Sequence, residues 1–128
     1  MPPETCGYQT LELISLKVVE ASPDAKIVVD HRGIIVIFNT RAELLFGCDR
    51  SDVIGKSVET LLPETLREGH TKQRSSWFRR PSTRQMGAGI SLMALHQQTK
   101  EGFEVIIELS PIVVPNSGLF GLAVIRPK

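Results

Sequence analysis

Residues 23–47 read "PDAKIVVDHRGIIVIFNTRAELLFG", and the reading of this stretch decides the fold. Two β-branched runs, "AKIVVD" and "IIVIFN", flank Asp30-His31-Arg32-Gly33, a turn with glycine in its last place. Short β-branched runs on either side of such a turn predict a hairpin. Next, "TRAELLFG" sets Ala42, Leu45 and Phe46 on one side of a short helix. Asn39 or Thr40 is expected to cap that helix and Gly47 to stop it.

Upstream, "TLELISLKVVEAS" places Leu11, Ile14, Val18 and Ala21 at helical spacing, with Leu13 and Leu16 broadening the stripe. Thr10 is the expected N-cap, and Pro23 stops the helix near Ser22. The stripe is wide for so short a helix, so it is expected to pack on its own domain or on a second copy. Downstream, "RSDVIGKSVETLLP" breaks into short turns anchored by Val53, Ile54, Val58, Leu61 and Leu62. "LPETLREGHTKQRSSWF" then predicts a helix with Pro63 at its first position, ending before Pro81. Three strand candidates follow: "GISLMALHQQ", "GFEVIIELSPIVV" and "GLFGLAVIRP", joined by turns at "KEG" and "PNSG". In the second, Phe103, Val105, Ile107 and Leu109 alternate with Glu104, Ile106 and Glu108, so one face is buried and the other mostly wet.

Composition narrows the function. At 128 residues the chain forms one domain with a modest core. A net charge of +1 supplies no global field toward nucleic acid or anionic lipid. Cys6 and Cys48 are expected to be free thiols in a reducing compartment. Apolar runs such as "IIVIF" are too short to span a bilayer, and "MPPETCGYQT" lacks the grammar of a signal peptide. The expected location is therefore cytoplasmic, without membrane insertion.

These pieces, in this order, resemble a PAS domain, the sensory module of histidine kinases, cyclic-dinucleotide enzymes and transcription regulators. The resemblance rests on "PDAKIVVDHRGIIVIFN", "NTRAELLFG", "VIGKSVETLLPE", "KEGFEVIIELSPI" and "GLFGLAVIR", covering Pro23 to Arg126. It implies an α+β fold: a five-stranded antiparallel sheet, spatial order 2-1-5-4-3, with short helices over one face around a small-molecule cavity. The strand count read from the residues, two plus three, agrees. Residues 1–22 are then a flanking amphipathic helix and 23–128 the PAS domain. One fold hosts many ligands and often none, so function must come from the pocket.

Flavin-binding light sensors of the family carry a "GxNCRFLQ" motif. Here "GKSVETLL" keeps Gly55 but has Ser57 for the asparagine and Val58 for the reactive cysteine, so flavin-adduct chemistry is not expected. Haem-binding sensors of the family carry the proximal histidine after an "MPxxxRxxH"-like segment, and "LPETLREGH" matches at Pro63, Arg67 and His70. Helical geometry puts His70 about 40° from Leu66 and about 20° from Trp77, on the face expected to meet the cavity. A neutral imidazole there has the chemistry of a haem iron ligand. On the distal side, the arginine position of such sensors falls at Ile90 and the methionine position near Ala88, while Met86 and Met93 lie out of register. The leading expectation for His70 is a half-buried histidine hydrogen-bonded to a carbonyl or carboxylate, with haem ligation or contact to another ligand as alternatives.

Lys72, Arg74, Arg79, Arg80 and Arg84 form a cationic run in a segment without acids from Gly69 to Lys100. With only Trp77 and Phe78 interleaved, a solvated helix end is expected rather than a nucleic-acid site. Arg84 is a candidate for closing over an anionic ligand. Asp24, Asp30, Glu43, Asp49, Asp52 and Glu59 read as caps and solvated turn residues. His31, His70 and His96 are too scattered for a zinc motif, and no catalytic set is recognisable, so no enzyme is expected. By family position and periodicity, the cavity is expected to be lined by Ile37, Phe46, Leu62, Leu66, His70, Trp77, Leu92, Ile107 and Leu122. The expected function is a sensory or protein-interaction domain of a signal-transduction protein, as in two-component systems, binding a small ligand or acting by dimerisation. Its expected partners are a second copy, through Thr10–Ser22 and the sheet, and an effector. A haem-based gas or redox sensor and a ligand-free dimerisation module are the alternatives. The family's usual exit from the last strand is an Asp-Ile-Thr-like step, but "AVIRPK" has Pro127 in place of the aspartate. A fragment of a larger protein and a free-standing domain both fit that departure.

Overall fold

The structure, a computed structural model, describes residues 13–14, 16–87, 89 and 91–128. Helical residues 13–14 and 16–21 (α1) lead into the hairpin of β1 (Ala25–Val29) and β2 (Ile35–Phe38). Helices α2 (Thr40–Phe46) and α3 (Arg50–Val53) follow, then 3₁₀ turns at Val58–Leu61 and Glu64–Leu66 and helix α4 (Arg67–Arg79). The chain closes through β3 (Arg84–Met86), β4 (Met93–Leu95), β5 (Gly102–Val114) and β6 (Gly118–Pro127). Thr10 and Leu11, the expected start of the leading helix, and Cys6, Ala88 and Ile90 lie outside the described residues.

The antiparallel sheet runs β2-β1-β6-β5-β3, with β4 also on β5. The expected five strands become six because Arg84–Met86, ahead of the predicted third strand "GISLMALHQQ", forms a strand of its own, and only Met93–Leu95 of that stretch is strand. Arg84–Met86 pairs with Ile107–Leu109 and Met93–Leu95 with Gly102–Glu104, so both pieces share one edge of β5. Gly87 makes the break: its φ is +95°, and a β-carbon there would lie 2.5 Å from the Val105 carbonyl oxygen. Only glycine fits so close a backbone approach. Counting the two pieces as one edge strand recovers the expected order. Pro63 sits just before the second 3₁₀ turn rather than inside α4, which begins at Arg67.

The β1–β2 turn closes on Asp30, whose Oδ1 accepts from the backbone N–H of Arg32 and of Ile34 at 2.9 and 3.0 Å. Gly33 takes φ +81° there. Asn39 ends β2 and is fully buried. Its Oδ1 accepts from the N–H groups of Ala42 and Lys26, both at 2.9 Å, and its Nδ2 donates to the carbonyls of Val19 and Asp24 at 2.8 and 3.1 Å. One side chain therefore caps α2, closes the start of β1 and holds the last turn of α1. A second tie is ionic: Arg50 donates to the Glu20 carboxylate of α1 and to Glu43 of α2. With Thr40 also donating, these bonds hold the Glu20 carboxyl down to about 2.

The core lies between the sheet and α2–α3, built from Ile27, Ile35, Phe38, Phe46, Val53, Leu61, Val105 and Ile125. Phe46 packs on Phe38 and, edge-on, on Phe103, with ring centroids 5.9 and 5.7 Å apart. Replacing Asn39 by alanine strands two buried N–H groups and two carbonyls and removes a cap. A loss of about 2–4 kcal/mol is expected in urea denaturation, with no change of m-value.

Candidate functional site

The segment after α3 turns back on the hairpin. Val58 N–H donates to the Gly33 carbonyl at 2.8 Å and Ile35 N–H to the Lys56 carbonyl at 2.9 Å, while Ile34 and Ser57 form an isolated bridge. Ser57 then starts the 3₁₀ turn, its Oγ accepting from Glu59 N–H at 3.2 Å. This places the Glu59 side chain beneath α4, only 9% exposed.

Glu59 is the hub of the site. Arg74 reaches it with two nitrogens, Nε to Oε2 at 3.1 Å and Nη2 to Oε1 at 2.8 Å. His70 Nδ1 lies 2.7 Å from Oε2, and Ser57 Oγ donates to Oε1 at 2.9 Å. An ionised carboxylate only accepts, so Nδ1 carries the proton and donates. His70 and Arg74 are four residues apart and share a helix face, which lets one acid hold both. Burial pushes the Glu59 carboxyl up, and the bonds from Arg74, His70 and Ser57 outweigh it, leaving the group below its ordinary 4.5. The Arg74 guanidinium also lies on Gly33, where an added β-carbon would come within 2.4 Å of Cζ.

At the other end of α4, Trp77 is 4% exposed and donates from Nε1 to the Ser82 carbonyl at 2.9 Å. Its ring covers Gly121 of β6, which leaves 3.2 Å for an added β-carbon.

The remaining expected pocket residues do not converge on His70. Phe46 is inside the packed core, with Leu92 and Ile107 against it. Leu62 is half-buried, Leu66 is 44% exposed and Arg84 is exposed on the edge strand. Ile37 and Leu122 both pair with Val28, one register step from Ile27. Alternation along the strands therefore turns them to the sheet face opposite Ile27 and the core. Glu59 belongs at the site although its sequence position reads as a solvated turn. The signal that points to it is the His70/Arg74 spacing, two donors on one helix face with no acid of their own.

His70 alone among the expected residues has haem-ligand chemistry, and its orientation by a carboxylate leaves Nε2 for a metal. Its surroundings do not fit haem: the ring faces the charges of Glu59 and Arg74, and Leu66 on its face turns to solvent. Neither the apolar concavity of about 440 Å³ along α1 nor the polar one of about 740 Å³ between α2 and His96 includes His70. Among the described residues no three His, Cys, Asp or Glu side chains gather to hold a metal. Cys48 is half-buried, and burial with nearby Asp52, Glu43 and Asp49 pushes its thiol up, away from the reactive thiolate.

The PAS fold family model matches residues 16–124. This chain belongs to the PAS family. Its fold is that of the PAS domain of an HTR-like protein from Haloarcula marismortui, with TM-score 0.75, 23% identity, and 97% of this chain and 99% of that one covered. A PAS domain from a two-component sensor histidine kinase superposes with TM-score 0.76 at 10% identity, covering 94% of this chain and 99% of that one. The sensor protein FixL of Bradyrhizobium diazoefficiens is 41% identical over 64 residues, which is 50% of this chain and 13% of that protein. The PAS domain is thus a sensory module of signalling proteins, and the likeness to FixL spans half of this chain but a small part of FixL.

A group whose folded pKa lies below its unfolded value stabilises above the unfolded value, and that stability is lost as pH falls through the folded one. Glu59 is such a group, and Arg74 is its largest lowering partner. Arg74→Gln raises the folded value, so the loss begins at higher pH. An acid titration followed by circular dichroism is expected to show its midpoint displaced upward relative to wild type. An unmoved midpoint would mean that the Glu59 charge carries no stability.

Proposed function

We propose that this PAS domain is a sensory and protein-interaction module of a signal-transduction protein, transmitting its state by self-association through α1. The observation that carries this reading is the apolar stripe of α1, where Leu13, Ile14, Leu16 and Val18 are each more than half exposed. Leu13, Ile14, Val18 and Ala21 border a shallow apolar concavity with Lys17. An exposed apolar stripe on a helix is stable when a partner covers it. The helix is clamped to the domain by Asn39 and Glu20, so its direction is set by the domain it leaves. The occupant fitting a stripe at helical spacing is the same stripe of a second copy, and an effector joined to the module would read that geometry.

Each buried Leu or Val contributes roughly 1.5–3 kcal/mol, so Leu13→Glu with Val18→Glu is expected to weaken dimerisation at least about 100-fold in analytical ultracentrifugation. A wild-type chain that stays monomeric throughout the micromolar range would sink this reading.

The second reading, haem ligation by His70, is supported by the Pro63-Arg67-His70 spacing and by the free Nε2. It is opposed by the charged surroundings described above. The domain is read as haem-free. Hemin titration is expected to give no Soret shift that distinguishes wild type from His70→Ala. Stoichiometric uptake lost in His70→Ala would make His70 an axial ligand and overturn the assignment.

A further inference from the structure

Helix α4 has little apolar area to hold it down, since Trp77 is its one fully buried side chain. Thr71, Lys72, Gln73, Ser75 and Ser76 are all exposed. Among the described residues two attachments hold it across the fold. At the C-terminal end, Trp77 sits on Gly121. In the N-terminal half, His70 and Arg74 both close on Glu59, and the Arg74 guanidinium shuts over Gly33. The bond from Arg67 Nε to the Leu62 carbonyl is local and stays within the lead-in to the helix.

We propose that the N-terminal half of α4 is a lid, latched by the Glu59 carboxylate, that lifts from the β1–β2 turn while Trp77 stays seated on Gly121. The latch is concentrated on one acid, so its donors leave together rather than one at a time. Their four-residue spacing puts both on the same side of one helical turn, so their release frees that turn to lift and fray, opening its backbone N–H groups to exchange. At Gly69, one residue before His70, an added β-carbon would meet nothing within 4 Å, so the helix is not packed against the fold on that side. Lifting uncovers the Gly33 backbone and the Ser57 turn, opening the domain between α4 and the hairpin. The unlatched donors turn to water, where His70 is already one-third exposed. The proposal does not depend on whether association or a ligand carries the signal.

Amide hydrogen exchange on wild type, Glu59→Gln and Arg74→Lys tests it. Glu59→Gln keeps shape and removes the charge. Amides of residues 70–75 are expected to exchange roughly tenfold faster or more, while those of β5 and β6 and the Trp77 fluorescence stay as in wild type. Arg74→Lys keeps the charge but loses the fork, and is expected to give a smaller acceleration confined to the same amides. If Glu59→Gln fails to fold, the Arg74→Lys pattern decides alone. Acceleration shared equally by α4 and the β5–β6 amides would make the cluster a support of the whole fold and overturn the lid. Unchanged exchange in α4 would overturn it as well, because other contacts would then hold the helix.

Discussion

The Asn39 carboxamide is the constraint on which the arrangement of this domain depends. Its oxygen receives two backbone N–H groups and its nitrogen serves two carbonyls, with no exposure to water. Buried amides are tolerated only when satisfied, and here satisfaction requires α1, β1 and α2 to be placed at once. Misplacing any one of them strands a polar group where water does not reach. The joint between the leading helix and the sheet is therefore specified by geometry rather than by apolar area, which suits a helix that keeps its stripe facing outward.

The two faces of the helical cover are held by different physics. Helix α2, beyond its Asn39 cap, is seated by the aromatic contacts of Phe46 with Phe38 and Phe103, a non-directional attachment that yields only with the core. The N-terminal part of helix α4 is held by a buried carboxylate and its donors, a directional attachment that is either made or lost. Such clusters often contribute little net stability, since desolvation offsets attraction, yet breaking one side of them is costly. That asymmetry makes the cluster better suited to defining two positions of a helix than to strengthening one.

The fold was legible because its signals are local. The β-branched runs around Asp30–Gly33, the Asn39 cap and the Gly47 stop are all set by near neighbours, and they stand where the periodicity puts them. The split edge strand was not legible, since the break at Gly87 answers to the Val105 carbonyl far along the chain. The leading expectation for His70, a bond to a carbonyl or carboxylate, matches its place on Glu59, but the acid itself reads as a turn residue. Its burial arises only when the 3₁₀ turn is folded under α4. Family position assigns Ile37 and Leu122 to the cavity, and the register with Val28 faces them the other way.

The division of the edge strand also bears on how copies of this domain can meet. A continuous open edge along β5 would be a template for strand-to-strand growth into aggregates. Here β3 and β4 occupy that edge in two pieces, Val105 N–H is taken by the Leu92 carbonyl, and Pro111 has no N–H to offer. At the opposite side, the edge of β2 is occupied by the 55–57 turn through the Gly55–Ile35 and Ile35–Lys56 bonds. With β2 tied at Ile35 and the other margin divided into two three-residue strands, neither margin offers a long continuous edge, so recognition between domains falls more to side chains, whose identity sequence can tune one position at a time.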